Sequence, residues 1–157
     1  MVPQDAQSIY SFRKVSTEDH KEYQKVIEIR AVLVEPGYET VSQQTGDQEC
    51  QIYLLYHGTQ AVATIRTRHI PKLCYTMERF AVKKQCQKGG HGLEILKRGL
   101  QQIIPKLEPG EEINGASRPA VFGFHAKSGF FPVGPFFIYN GAQAKKMVYM
   151  PHFAQKL

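Results

Sequence analysis

What this chain lacks narrows it first. Its 157 residues contain no apolar run approaching the roughly 20 residues that span a bilayer, and the N-terminus has no signal-peptide core. No membrane association is expected, and cytoplasmic residence is the default reading. Cysteine is scarce: Cys50, Cys74 and Cys86 are an odd count without metal-ligand spacing, so neither a disulfide framework nor a metal site is indicated. Cys86 also lacks the local histidine partner of a covalent nucleophile. Acidic residues are outnumbered, 14 against 20 lysines and arginines, for a formal net charge of +6. That balance favours an anionic partner. The basic residues are scattered rather than gathered into a stripe, which weighs against nucleic acid in that role. No repeat, linker or low-complexity segment interrupts the chain, and residues 1–157 suit one domain that buries about two-thirds of its unfolded surface.

Patterning predicts the order β-α-β-β-β-α-β-α-β-β. Ser8 to Val15 reads as a strand, and Ser16-Thr17-Glu18-Asp19 as a helix start with a hydroxyl cap. Tyr23, Val26, Ile27, Ala31 and Val34 then recur at helical spacing as far as Pro36-Gly37. The polar stretch from Gly37 to Glu49 reads as a loop or a short irregular helix. Gln51 to His57 and Gln60 to Thr67 form a hairpin at Gly58-Thr59, and Leu73 to Lys83 the next strand. Leu93 to Ile104 reads as an amphipathic helix with Leu93, Leu96, Leu100 and Ile103 on its buried face, ended by Pro105. Ile113 to Ala116 is a short strand, and Pro119 opens a helix that Gly129 caps. Phe130 to Tyr139 and Lys145 to Met150 pair around Asn140-Gly141.

The most informative stretch is Gln87-Lys88-Gly89-Gly90-His91-Gly92, set between a strand and the long helix. Glycines at a helix entry let the backbone come within hydrogen-bonding reach of a phosphate, and the unpaired N–H groups of the first turn attract an anion. The spacing is neither the dinucleotide fingerprint nor a P-loop. Lys83, Lys84 and Lys88 gather around it, which suits a small polyanionic ligand.

Gln-x-x-Gly-x-Gly resembles the pyrophosphate loop of the GNAT superfamily of acyl-CoA-dependent N-acetyltransferases. Two further motifs resemble that family in the expected order. Glu78-Arg79-Phe80-Ala81-Val82 looks like the end of its fourth strand, and Phe124-His125-Ala126-Lys127-Ser128-Gly129-Phe130 looks like its Phe-Tyr-x-x-x-Gly-Phe. The continuation Phe131-Pro132-Val133-Gly134, with Gly141 and Met147, is most similar to the ElaA-like branch. The resemblance implies an α/β (α+β) GNAT fold, a mixed sheet of six to seven strands flanked by about four helices. It implies acetyl-CoA as cosubstrate, its pyrophosphate on Gln87, Lys88, Gly89, Gly90, His91 and Gly92. Backbone groups of Phe80, Ala81 and Val82 would hold the pantetheine arm where strands four and five splay.

An amine acceptor of the ordinary kind has a pKa near ~10.4 and must lose a proton before it attacks. Glu78 is the candidate base, its alternative role being a salt bridge to Arg79 or a nearby lysine. His125 stands where the family usually has a tyrosine that protonates the leaving thiolate, and its alternative role is a helix histidine bonded to a backbone carbonyl. Gly123 replaces a common asparagine, while Ile138-Tyr139-Asn140 and Gln143-Ala144 depart from the ElaA-like pattern. The expected activity is direct acetyl transfer to a primary amine of a small molecule or protein. One alternative is a CoA-binding protein with little catalysis. Another is a basic nucleic-acid module using Phe130, Phe131, Phe136 and Phe137. The edge of the C-terminal hairpin is compatible with a homodimer.

Overall fold

The stretch Gln51–His57 (β2) is apolar at most positions because it is covered on both faces. Successive side chains of a strand point to opposite sides, so a doubly covered strand needs an apolar residue at each step. The computed structural model describes residues 9–33, 44–139 and 142–151. In it Ile52, Leu54 and Tyr56 pack with Val26 and Ile29, while Tyr53 and Leu55 pack on the opposite side with Ile95, Leu96 and Leu100.

Around β2 runs a seven-stranded sheet in the order β1-β2-β3-β4-β5-β7-β6. The other strands are β1 (Tyr10–Val15), β3 (Gln60–Ile70), β4 (Cys74–Val82), β5 (Glu112–Ser117), β6 (Phe130–Tyr139) and β7 (Ala142–Tyr149). Only the β4–β5 pairing is parallel. Helix α1 (His20–Arg30) covers one face and α2 (His91–Ile103) the other, and α3 (Phe122–Lys127) leads into β6. The order of strands and helices is the one the patterning predicts, in an α/β arrangement. Three α-helices rather than about four occur among the described residues, and short 3-10 turns such as Ala31–Leu33 and Pro119–Val121 fill the remaining connections.

Local differences have local causes. The cap of α1 is the Asp19 carboxylate, which accepts from the Glu22 amide at 3.3 Å, whereas the Ser16 hydroxyl closes a preceding turn onto the Glu18 amide. The α2 helix opens at His91, two residues before the expected Leu93. Pro105 lies in a 3-10 turn, Ile104–Lys106, beyond it. The buried row of α2 is Gly92, Ile95, Leu96, Gly99, Leu100 and Ile103, which leaves Leu93 at its edge and 37% exposed. Phe130 is core, at 3% exposure, so the phenylalanines of this region do not share one surface. Ser8, Val34, Pro36-Gly37, the first part of the polar stretch and the Asn140-Gly141 turn lie outside the described residues. The end of that stretch, Asp47–Glu49, is a 3-10 turn.

This turn carries an acid into the interior. Asp47 accepts from Arg30 at 2.6 Å, from Arg66 at 2.9 Å and from the Tyr23 hydroxyl at 2.5 Å. The Asp47, Arg30 and Arg66 side chains are all 3% exposed or less. Burial works to raise the Asp47 pKa, but hydrogen bonds from Arg30, Tyr23 and Arg66 outweigh it and hold the carboxyl below its usual range. Burial, followed by the bond to Asp47, pushes the Tyr23 hydroxyl up to about 12. Asp47→Ala should destabilise the protein by about 3–5 kcal/mol, the usual result of removing one partner from a buried ion pair. With its folded-state pKa lowered, Asp47 contributes fully above the unfolded carboxyl value of about 3.9, and the contribution disappears as pH falls through the folded value. Urea unfolding of both proteins at pH 7 and pH 3 would measure this, and a gap that did not shrink at pH 3 would contradict it.

Candidate active site

β4 and β5 share hydrogen bonds only from Cys74 to Thr76, opposite Glu112 to Asn114. Beyond that point β5 remains bound on its other side to β7, while β4 continues alone on this edge. A bulge then bends β4. Thr64 of β3 faces Ala81 and Arg66 faces Glu78, so Arg79 and Phe80 together oppose Ile65. Arg79 takes φ +50, a left-handed conformation that non-glycine residues rarely adopt. The parted strands enclose one side of a cavity of about 1270 Å³, which also reaches α2, α3 and β6.

The N-terminus of α2 forms the other side. Gly90, at φ +82, is its N-cap, and no side chain caps the helix. Its first N–H groups are therefore left to a ligand or to solvent. A Cβ on Gly92 would lie 2.9 Å from Phe124 and 3.2 Å from Phe80, so only glycine lets the first turn approach the cavity wall this closely. The Gln87 side chain donates to the Val82 carbonyl at 3.3 Å and ties the loop to the end of β4. The His91 ring packs back against Gly89, where a Cβ would lie 2.7 Å from its Nε2, and its Nδ1 is 2.7 Å from the Tyr10 hydroxyl, with His57 beside the ring. Burial, and then the nearby His57, lowers its pKa.

Phe80, Ala81, Val82, Gln87, Lys88, Gly90, His91, Gly92, Glu78 and His125 all line this cavity, and Gly89, also expected there, does not. Glu78 is ion-paired with Arg66 rather than with Arg79 or a lysine. Its Oε1 accepts from Arg66 Nη2 at 2.6 Å and Nε at 2.9 Å, and its Oε2 accepts from the Thr76 hydroxyl at 2.9 Å. An ionised carboxylate offers about four acceptor positions, so one of those on Oε2 is left.

His125 faces Phe80, Phe124 and Phe130. Its Nδ1 lies 3.0 Å from the Val121 carbonyl and 2.9 Å from the Ser117 hydroxyl. A carbonyl can only accept, so Nδ1 carries the proton, and in the neutral ring Nε2 is an acceptor. Burial pushes the imidazole pKa below 6.5 against the raising effect of the Val121 bond. Sequence reasoning missed Arg66, Ser117 and the position of Arg79. The first two have no local motif, but the charge of Arg79 directly beside Glu78 was an available signal.

The chain matches the acetyltransferase (GNAT) domain family over residues 17–150. It belongs to the GNAT acetyltransferases. Membership brings the family's reaction, acetyl transfer from acetyl-CoA to an amine. No curated protein matches the chain in sequence. Among solved structures it is similar to an acyl-CoA N-acyltransferase from Pseudomonas aeruginosa, with TM-score 0.72 and 13% identity, covering 88% of this chain and 98% of that one. Escherichia coli ElaA is similar with TM-score 0.70, 15% identity and the same coverage. A spermidine N-acetyltransferase from Vibrio cholerae, solved with CoA and spermine, has TM-score 0.65 and 14% identity over 94% of this chain and 99% of that one. At such identities the likeness establishes the fold of this GNAT chain alone. Among its described residues, no helix is long and apolar enough to cross a membrane, and no cluster of His, Cys, Asp or Glu is placed to hold a metal ion.

The His125 environment generates a pH signature. Its folded-state pKa lies below the unfolded value of about 6.5, so protonation favours the unfolded chain. Its contribution is undiminished above that pH and erodes as pH falls below it. Urea midpoints from pH 8 to pH 5 should show the wild type losing ground to His125→Phe. A constant gap would mean that the imidazole titrates alike in both states.

Proposed function

We propose that residues 1–157 act as one GNAT domain that transfers acetyl directly from acetyl-CoA to an amine, with no acyl intermediate on Cys86. The observation that carries this reading is the meeting, in one cavity, of the uncapped α2 N-terminus and the unpaired edge of β4. Acetyl-CoA supplies an acyl group already activated as a thioester. Gln87, Lys88, Gly89, Gly90, His91 and Gly92 hold its pyrophosphate, chiefly through main-chain N–H groups. Main-chain groups of Phe80, Ala81 and Val82 hold the pantetheine arm. An N–H on this edge that meets the developing oxyanion contributes about 3–4 kcal/mol.

In this reading Glu78 Oε2 takes the proton of the acceptor amine, directly or through a water, while Arg66 and Thr76 keep the carboxylate in place. His125 gives a proton to the departing sulfur only in its imidazolium form. Because burial disfavours that form, any such contribution to the rate falls as pH rises through a value below 6.5. The engaged state of Glu78 also favours a second reading, CoA binding with little catalysis. We assign the reaction to the cytoplasm, in keeping with the free thiols of Cys50, Cys74 and Cys86. A homodimer would form along the free edge of β6, where Phe136 and Ile138 are exposed.

Two variants test the site. Gly90→Asp places a carboxylate at the helix cap, where it competes for the same N–H groups and repels phosphate. Acetyl-CoA affinity measured by calorimetry should fall by about 100-fold or more, and unchanged affinity would remove the pyrophosphate from this loop. Glu78→Gln should keep acetyl-CoA affinity and lower turnover by about 10²–10⁴-fold. An unchanged rate would return Glu78 to a purely structural role.

A further inference from the structure

Arg79 is half-buried and differs from the two buried arginines, Arg30 and Arg66, in what it meets. Arg30 and Arg66 meet Asp47, and Arg66 also meets Glu78. Arg79 has no carboxylate within ion-pairing distance among the described residues. Its Nη1 donates to the Tyr139 hydroxyl at 2.8 Å, and its Nε is buried with no hydrogen-bond partner. A guanidinium carries five donors, and Arg79 uses one on Tyr139 while its buried Nε–H has no partner and its charge no counterion among the described residues. The chain also accepts a left-handed backbone at this residue, a strain of the kind that clusters at functional sites.

The surroundings indicate what would complete it. Arg79 lines the cavity at the bulge, about 10 Å of strand before Val82, where the pyrophosphate loop is tied in. Phe137 and Tyr139 of β6, with Val32 and Leu33 after α1, give this end apolar walls. Glu78 is the one acidic side chain lining the cavity among the described residues, and Arg66 already neutralises it. Lys146, which also lines the cavity, is paired with Glu112 at 3.0 Å. A polyamine would find no free carboxylate here, whereas an anionic group would find an unpaired guanidinium.

We infer that the acceptor is an amine that also carries a carboxylate and an apolar body, as an apolar amino acid does, with Arg79 binding the carboxylate and Tyr139 positioning Arg79. This rests on the acetyl-transfer reading and names its acceptor class. A charged bidentate contact of this kind separates substrates that have the carboxylate from those that lack it by about 10–100-fold.

The test uses the full chain with acetyl-CoA, following release of free thiol. L-phenylalanine is compared with 2-phenylethylamine, which lacks the carboxylate, and with spermidine. Wild type, Arg79→Met and Tyr139→Phe are assayed, and acetyl-CoA binding is measured by calorimetry for each. Amine basicity cancels when the ratio of the two aryl substrates is compared between proteins. The wild type should prefer phenylalanine in kcat/KM. Arg79→Met should lower that value by about 10–100-fold, mainly through KM, and leave 2-phenylethylamine within about threefold. Acetyl-CoA affinity should not change. Tyr139→Phe should raise KM for phenylalanine severalfold and keeps the test decisive if Arg79→Met does not fold. An equal loss for both aryl amines, a wild-type preference for 2-phenylethylamine or spermidine, no turnover of phenylalanine, or weakened acetyl-CoA binding in Arg79→Met would each overturn the assignment. Failure of the wild type to bind acetyl-CoA would instead overturn the reaction itself, and the acceptor class with it.

Discussion

The parting of β4 from β5 after Thr76 is the constraint on which the rest of the site depends. Strand edges inside a protein carry N–H and C=O groups that need partners, and a sheet ordinarily supplies them from the next strand. Here β5 keeps its pairing with β7 while β4 turns away through the bulge at Arg79, so a row of main-chain groups faces a cavity. The same bend sends Phe80 toward Phe124 and Gly92, and it leaves Glu78 on the side of Arg66. One backbone irregularity thus distributes three neighbouring side chains to three surroundings.

Much of this was legible in the sequence wherever a local pattern reports a local force. The β2 strand, the hairpin at Gly58-Thr59 and the glycine entry to α2 each follow from a run of β-branched and aromatic residues or from backbone freedom that only glycine has. The polar partners were not legible. Glu78 meets Arg66 because of the register between two strands, and the bulge alters that register by one residue. Asp47 lies in a stretch without periodicity, and nothing in its neighbours indicates that two arginines will surround it. The tautomer of His125 depends on Val121 and Ser117, whose positions follow from the packing of α3 rather than from the motif containing the histidine.

Charge in this protein is organised at two depths. Most of the excess basic residues are solvated, but Arg30 and Arg66 are drawn fully inward by α1 and the sheet, and Arg79 lies half-buried at the cavity. Asp47 and Glu78 account for two of the three. A network such as Tyr23–Asp47–Arg66–Glu78 fixes the orientation of a carboxylate far more narrowly than a surface pair could. It also connects the 3-10 turn at Asp47 to the cavity through direct hydrogen bonds.

The α2 helix has two ends with different duties. Its first turn faces the cavity, while Ile95, Leu96, Leu100 and Ile103 fill the core on that side of the sheet. Among the described residues, the first-turn amides and the packed interior belong to one continuous helix. Occupancy at the helix entry is therefore felt as global thermodynamic stability: a ligand at 100 times its Kd adds about 2.7 kcal/mol to the folded state. In a cell, the abundance of this protein would track the supply of whatever fills that entry, because the unoccupied form is the one exposed to unfolding and proteolysis.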